Sequence, residues 1–319
     1  MSKILQIKMS IWMTPLLVVC AMCVGMKSAT ASHAGANSAA SLRAKYAELK
    51  KLLSNNQFNR PLYLHSVETS DHIKGDIYAL VNYPFVTVNR AINNPAHWCD
   101  ILILHLNTKY CSATKNKNSS SIAVSVGKKI YQPLDEAYRL EFIYKIASAT
   151  REYFDIQLNA KTGPLGTSDY RIRLEAVSVK SRKTFLHLSY SYAYDYVARL
   201  AMESYLTTIG ADKVGFTHVG DPSADPPDYI RGVRGVVERN TMRYYLAIDA
   251  YLGALSVSPD KQFERRLHRW FTATEQYPRQ LHEVDRATYI DMKRREYLRQ
   301  QTSPSNGAFW YDPAEASAP

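Results

Sequence analysis

A run of strand-like segments between residues 139 and 194 constrains the fold more than any other feature of this chain. Four segments there alternate apolar and polar side chains, and short connections separate them. Alternation with a period of two predicts half-buried strands, and consecutive strands with short connections predict an antiparallel sheet. The strongest strand is expected at 184–194, where one face carries Leu186, Leu188, Tyr190, Tyr192 and Tyr194.

Helical and strand patterns flank this run on both sides. Before it, the spacing predicts an amphipathic helix at 42–53, strands at 62–67 and 73–81, helices beginning at Pro84 and Ala96, and strands at 108–112 and 121–126. After it, the spacing predicts a helix at 197–209 and three further helices at 236–255, 260–274 and 284–300. These elements place the chain in the α+β class, and we expect disorder in the tail 302–319.

The first 31 residues have the pattern of a secretory signal. Lys3 and Lys8 precede an apolar stretch at 11–26, and the Ala-Thr-Ala sequence at 29–31 fits a small-residue cleavage site. Because the apolar stretch is short and Pro15 interrupts it, a cleaved signal is favoured over an uncleaved membrane anchor. The mature chain is therefore predicted to be exported, into the periplasm of a Gram-negative cell or otherwise into the medium.

Export changes the meaning of the charges and the cysteines. The formal net charge of +11 includes three lysines of the signal, and the remaining cations are interleaved with acidic residues, so no nucleic-acid partner is expected. Cys99 and Cys111 remain in the mature chain, and an even pair in an oxidising compartment predicts one disulfide. A metal site that combines them with His97 and His105 is disfavoured, because the spacing matches no standard zinc pattern. No metal or other cofactor is expected.

Three short segments carry a family resemblance. They are ALVNYPFVTV at 79–88, NNPAHW at 93–98 and RKTFLHL at 182–188. They resemble the first strand and helix, the short second helix and the late strand of the START-like (SRPBCC, Bet v 1-like) helix-grip superfamily.

The resemblance covers about residues 61–210 and implies a curved antiparallel sheet that grips a long helix, assigned here to 197–209. It leaves residues 32–60 as a leader with an N-terminal amphipathic helix. It also leaves 211–301 as an additional, mostly helical C-terminal extension.

A helix grip implies a cavity for a hydrophobic or amphipathic, lipid-like molecule between sheet and helix. The candidate contact residues are Tyr144, Leu188, Tyr190, Tyr192, Tyr194 and Tyr205. Phenol rings offer such a ligand apolar walls with polar tips. An ordinary filled core would have the same residues, so both interpretations stay open.

Arginines near the start of a predicted helix form a second candidate site. Arg231, Arg234 and Arg239 suit a phosphate or carboxylate, although their spacing matches no standard phosphate loop and solvated charges are the simpler interpretation. The basic run 293–295, with Arg286 and Arg299, offers a contact for an anionic membrane surface, but its interleaved acidic residues are typical of a solvated helix face.

The sequence therefore predicts an exported START-like protein that sequesters a hydrophobic or amphipathic small molecule. Two alternatives stay open: an enzyme of the hydrolase or cyclase type that uses the same cavity, and a non-catalytic assembly protein of the cell envelope. No catalytic residue is assigned, since Ser125 and Lys128 lie in a strand-like stretch without the usual partner motifs. His187 is expected to be a surface or hydrogen-bonded histidine.

Overall fold

One antiparallel sheet and the helices around it make up the part of the chain that the structure describes. This computed structural model describes residues 39–115, 119–180, 182–207, 212–221 and 227–302. The predicted signal at 1–31, the leader up to residue 38 and most of the predicted tail lie outside the described residues.

The strands are β1 (Leu62–Glu68), β2 (His72–Val81), β3 (Thr108–Lys115), β4 (Ser120–Val126), β5 (Tyr138–Ala149), β6 (Tyr153–Thr162), β7 (Thr167–Lys180) and β8 (Lys183–Tyr194). The helices are α1 (Ala39–Ser54), α2 (Phe85–Ile92), α3 (Pro95–Leu102), α4 (Tyr196–Thr207), α5 (Gly232–Leu252), α6 (Pro259–Thr274), α7 (Pro278–Leu281) and α8 (Arg286–Thr302).

The strands pair in the order β1-β2-β8-β7-β6-β5-β4-β3, and every pair is antiparallel. The last strand therefore returns to β2, while α2 and α3 carry the chain from β2 to the far edge at β3. This is the strand order of a START-like helix grip with one additional hairpin strand, β1. The antiparallel sheet predicted from the alternation is confirmed.

Local sequence explains the start of the two crossover helices. Pro84 stands directly before α2, where its missing N–H removes no helical hydrogen bond. Asn94 caps α3, because its side-chain oxygen accepts a hydrogen bond from the Ala96 N–H at 3.0 Å. The Trp98 indole of α3 donates to the Ile92 carbonyl at 3.0 Å and ties the two helices together.

The long helix α5 lies on one face of the sheet, against β1, β2 and β8. Most of its residues are buried, among them Val237, Met242 and Leu246. Gly75 of β2 permits this close approach, because a Cβ at that position would overlap Thr241 Oγ1 of the helix. The helix that the sheet grips is therefore α5.

The assignment of the gripped helix to 197–209 is wrong. The helix there, α4, follows β8 directly and exposes Tyr196, Val197 and Leu200. Both helices have apolar spacing, but only α5 is buried around most of its circumference, as a helix enclosed by a sheet and by outer helices must be. Residues assigned to the C-terminal extension therefore help to build the grip, while α6 and α8 pack outside it.

The opposite face of the sheet is covered by α1. Leu42, Leu49 and Leu53 of this helix form a second buried cluster with Tyr153 and Phe185 of the sheet. Strand β8 is therefore buried on both faces for most of its length. Within the described ranges, no helix combines the length and apolarity needed to cross a bilayer.

The predicted disulfide is confirmed. Cys99 of α3 and Cys111 of β3 are bonded, and their Cα atoms lie 5.2 Å apart. The bond ties the crossover helices to the edge strand. No cluster of residues suited to hold a metal ion is found in the described part of the chain.

Candidate functional site

A cavity of about 700 Å³ lies between the sheet and α5. Its sheet wall comes from β3, β4, β5, β7 and β8. Helix α5, the end of α3 and the α3–β3, β4–β5 and β6–β7 connections line the rest. Its lining residues include Val124, Leu140, Phe142, Ile172 and Tyr190 on the sheet, Asn240 and Tyr244 on α5, and His105 in the α3–β3 connection. The volume falls in the range of about 300–1,000 Å³ that is typical of small-molecule sites.

Tyrosines surround the cavity on the β8 side. The ring of Tyr190 lies 5.1 Å from that of Tyr244, and Tyr170 stacks on Tyr192 at 5.2 Å between centroids. Burial raises the pKa of Tyr190 well above its ordinary value, so its hydroxyl stays protonated. The wall is therefore apolar, with neutral hydrogen-bonding tips.

The six contact residues predicted from the sequence are placed differently by the structure. Tyr190 lines the cavity. Four others are buried in the main core but do not belong to the cavity wall described above: Tyr144, Leu188, Tyr192 and Tyr194. The Tyr205 side chain lies outside the described residues. Ligand contact by any of the six stays a prediction.

The three arginines predicted as an anion site do not meet at this cavity. Arg234 donates to Oγ and to the carbonyl oxygen of Ser66, at 3.1 Å each. Arg239 is buried and donates to the Val214 carbonyl at 3.1 Å. Arg231 is exposed at the start of α5. Anion binding by these residues stays a prediction.

The basic run at 293–295 is held in ion pairs. Lys293 is fully buried, and its ammonium lies 2.7 Å from Glu296 and also donates to the carbonyls of His105 and Thr108. Arg294 and Arg295 pair with surface carboxylates. The expectation of a solvated face is therefore wrong for Lys293, because α8 packs this residue against the α3–β3 connection.

His105 is a polar residue of the cavity wall that the sequence did not identify as a ligand contact. It is 3% exposed, and its Nδ1 accepts a hydrogen bond from the Asn107 N–H at 3.2 Å. Its Nε2 has no hydrogen-bond partner among the described residues. Burial and the nearby cations Arg243 and Lys293 lower the pKa of His105 well below its ordinary value. The ring is therefore neutral, and because Nδ1 accepts, the proton is on Nε2.

The cations near His105 outnumber the carboxylates that balance them. Glu283 is shared by Arg243 at 2.7 Å, Lys129 at 2.7 Å and Lys213 at 3.6 Å. Glu296 is shared by Lys109 at 3.0 Å and Lys293 at 2.7 Å. The neighbourhood of His105 therefore carries excess positive charge behind the cavity wall. Only the tertiary fold brings these groups together, so no sequence pattern marks them.

The cavity opens beside the connection between β6 and β7. Pro164 and Leu165 of that connection line it, and Leu165 is 85% exposed. Lys128 and Glu136, from the connection between β4 and β5, are exposed at the cavity wall as well. The charged groups of the wall therefore lie at the solvent side, and His105 lies at the buried side.

A second polar cluster lies on the opposite face of the sheet, away from the cavity. His187 is buried, with Nε2 2.8 Å from Asp76 and Nδ1 2.9 Å from Glu175. Although burial disfavours the charged ring, these two hydrogen bonds raise the pKa of His187 above its ordinary value. The expected hydrogen-bonded histidine is therefore an imidazolium that joins β2, β8 and β7.

Comparisons with known proteins give likenesses of overall shape only. No family model matches the chain, and no curated protein matches it. Human StAR-related lipid transfer protein 5 is similar at 9% identity, over 53% of this chain and 89% of that one, with a TM-score of 0.30. Norcoclaurine synthase from Thalictrum flavum matches at 9% identity over 47% and 77% (TM-score 0.29), and the di-domain ARO/CYC BexL at 11% over 71% and 56% (TM-score 0.31). The fold assignment rests on the strand order described above.

Proposed function

We propose that this START-like helix-grip chain binds a hydrophobic or amphipathic small molecule in the cavity between its sheet and α5. The observation that supports the proposal is the volume of about 700 Å³ behind an apolar and aromatic wall. Apolar burial would drive binding, and the few polar groups of the wall would orient the ligand. The signal pattern at the N-terminus adds the proposal that binding takes place outside the cytoplasm.

The cavity favours binding over the two alternatives. An assembly protein without a ligand has no need of such a volume in its interior. An enzyme would need an acid or base whose pKa lies near the working pH. His105, the buried histidine of the cavity wall, has a pKa well below that range, so it serves better as a hydrogen-bond donor.

The opening of the cavity beside the connection between β6 and β7 suggests how a ligand would enter. Leu165 is exposed there, and the exposed Lys128 lies at the same opening. Glu136 is exposed at the same opening, so the charges there do not select an anionic surface, but the apolar tip of Leu165 suits contact with a lipid surface. We therefore propose ligand exchange at a membrane surface.

Occupancy of the cavity can be tested by filling it. Val124 projects from β4 into the cavity, so Val124→Trp should occupy part of the space the ligand needs. Protein purified without detergent is examined by native mass spectrometry, and lipid and fatty-acid panels are examined by thermal shift. We expect the parent to retain or bind a ligand and Val124→Trp to lose it.

A matched control comes from the other face of the sheet. Ile143 on β5 is 57% exposed and does not face the cavity, so Ile143→Trp should bind like the parent. Melting temperature checks folding of both variants, and Val124→Phe replaces Val124→Trp if the larger side chain prevents folding. A folded cavity variant that binds like the parent, or a parent that binds no member of the panel, would contradict the proposal.

A further inference from the structure

We propose that the ligand of this cavity carries a carboxylate, and that His105 binds this carboxylate through its Nε2–H. The inference rests on the proposed binding function and specifies its substrate class: an apolar body with one anionic head. Three observations support it: an unpartnered donor, an excess of cations that are buried or half-buried, and an apolar wall elsewhere.

The donor is fixed by its own surroundings. Nδ1 of His105 accepts a hydrogen bond from the Asn107 N–H, so Nδ1 cannot bind a ligand without losing this hydrogen bond. Nε2 therefore keeps its proton and has no acceptor among the described residues. The atom is shielded from solvent, so a ligand oxygen reaches it only when a side chain packed against the ring, such as Tyr244 at 4.9 Å between ring centroids, moves aside. A buried N–H without an acceptor is costly, and an oxygen of a bound ligand would remove that cost.

The charges around His105 select the kind of oxygen. Arg243 and Lys129 share Glu283, and Lys109 and Lys293 share Glu296, so positive charge remains uncompensated in both groups. A carboxylate at Nε2 would lie in the field of these cations, where it is attracted more strongly than it would be in water. A hydrogen bond to an ionised acceptor is also stronger than one to a neutral oxygen.

The rest of the wall restricts the remainder of the ligand. Val124, Leu140, Phe142 and Ile172 present apolar surface, and the side chain of Gln132 is already engaged with the backbone of Lys128 and Glu136. A second charge on the ligand would find no buried partner there. An alkylamine head is positively charged, so the same cations would repel it.

The experiment compares three heads on one tail. Delipidated protein is loaded with the neutral fluorescent probe N-phenyl-1-naphthylamine, which is then displaced by a saturated fatty acid, the alcohol and the amine of the same chain length. We expect the acid to bind about tenfold more tightly than the alcohol and the amine to bind least, as a charge-assisted hydrogen bond predicts. His105→Phe should bring acid and alcohol within about threefold of each other, because the acid loses the stronger hydrogen bond.

Two further variants separate recognition from structure. His105→Gln keeps a side-chain N–H donor and should retain part of the preference for the acid. His97→Phe removes a histidine of α3 that bonds the Ala91 carbonyl and does not line the cavity, and it should behave like the parent. If His105→Phe does not fold, imidazole nitrogen NMR of the parent gives the answer. The acid should shift the Nε2 resonance of His105 and the alcohol should leave it close to its free position.

The outcomes distinguish this inference from the function on which it rests. If the protein binds none of the three heads nor the probe, both proposals fail. If it binds acid and alcohol equally, or if His105→Phe keeps the preference for the acid, the cavity binds ligands but the carboxylate inference is wrong. A preference for the amine would overturn the inference as well.

Discussion

The close contact between Gly75 of β2 and Thr241 of α5 provides a sharp test of the fold. A methyl group at Gly75 would overlap Thr241 Oγ1, lie 3.2 Å from Thr241 Cβ and lie 3.5 Å from Val237 Cγ2. The last of these is an ordinary contact and the first two are not. Gly75→Ala therefore has to push α5 away from the sheet, and overpacking of this kind costs about 1–3 kcal/mol in the free energy of unfolding.

The second half of the test removes the obstacle. Thr241→Ala alone loses the hydroxyl that donates to the Val237 carbonyl at 2.7 Å, which costs about 1 kcal/mol. In the double variant the tightest overlap is gone, and only the contact with the Cβ at position 241 must relax by a few tenths of an ångström. The double variant should therefore be more stable than the sum of the single effects predicts, by about 1 kcal/mol or more.

Urea unfolding followed by circular dichroism measures all four members of this cycle. The denaturant slope should stay constant, which shows that the same surface unfolds in each protein. Strict additivity, or a Gly75→Ala variant as stable as the parent, would mean that α5 does not cross β2 at this point. The assignment of α5 as the gripped helix, and the cavity beneath it, would then be wrong.

Two further predictions concern stability. Replacing both Cys99 and Cys111 by serine should lower the free energy of unfolding by about 2–4 kcal/mol, and reducing the disulfide of the parent with dithiothreitol should reproduce this loss in urea unfolding. The stability advantage of the parent over His187→Phe should be largest between about pH 4.5 and pH 6.5. It should fall above that range, as the raised pKa of His187 is passed, and at lower pH, as the lowered pKa values of Asp76 and Glu175 are passed; urea unfolding across the pH range measures both limbs.

The strands and helix starts could be predicted because their sequence patterns depend only on residues that are neighbours in the chain. The alternation through 184–194 places an entire row of side chains on one face, whatever lies opposite. Asn94 and Pro84 mark helix starts for reasons confined to one turn of backbone. The disulfide followed from cysteine number once the signal pattern was recognised, although the export that this pattern predicts stays a prediction.

The identity of the gripped helix could not be predicted from such patterns. α5 carries Glu238, Arg239 and Arg243 in buried positions, and these charges make it resemble a surface helix in sequence. Each is acceptable in the interior only because of a partner from far away, such as Glu283 for Arg243 or Ser66 for Glu238. Pairing across such distances is a property of the tertiary fold, and it leaves no local pattern.

His105 illustrates the same limit for the candidate site. In the sequence it is a lone histidine after an apolar run, and the simplest site it could join was a metal site with the nearby cysteines. The disulfide removes that option, and the fold supplies a different environment from residues of α5 and α8. Its neutral form follows from Arg243, Lys293 and burial together, and none of these neighbours on α5 and α8 lies near it in the chain.

The size of the cavity bears on whether it can be dry. An enclosed void in a packed core is costly to keep empty, at about 24 cal/mol per Å³, whereas this cavity of about 700 Å³ opens to solvent beside the connection between β6 and β7. The space must therefore hold matter, either solvent or a ligand. Water needs two to four polar partners at each site, and the wall around Leu140, Phe142 and Ile172 offers none of these from its side chains. Water can stay near His105 and the mouth, whereas the apolar part of the cavity is best filled by an apolar body, and a fatty acid joins both requirements in one molecule.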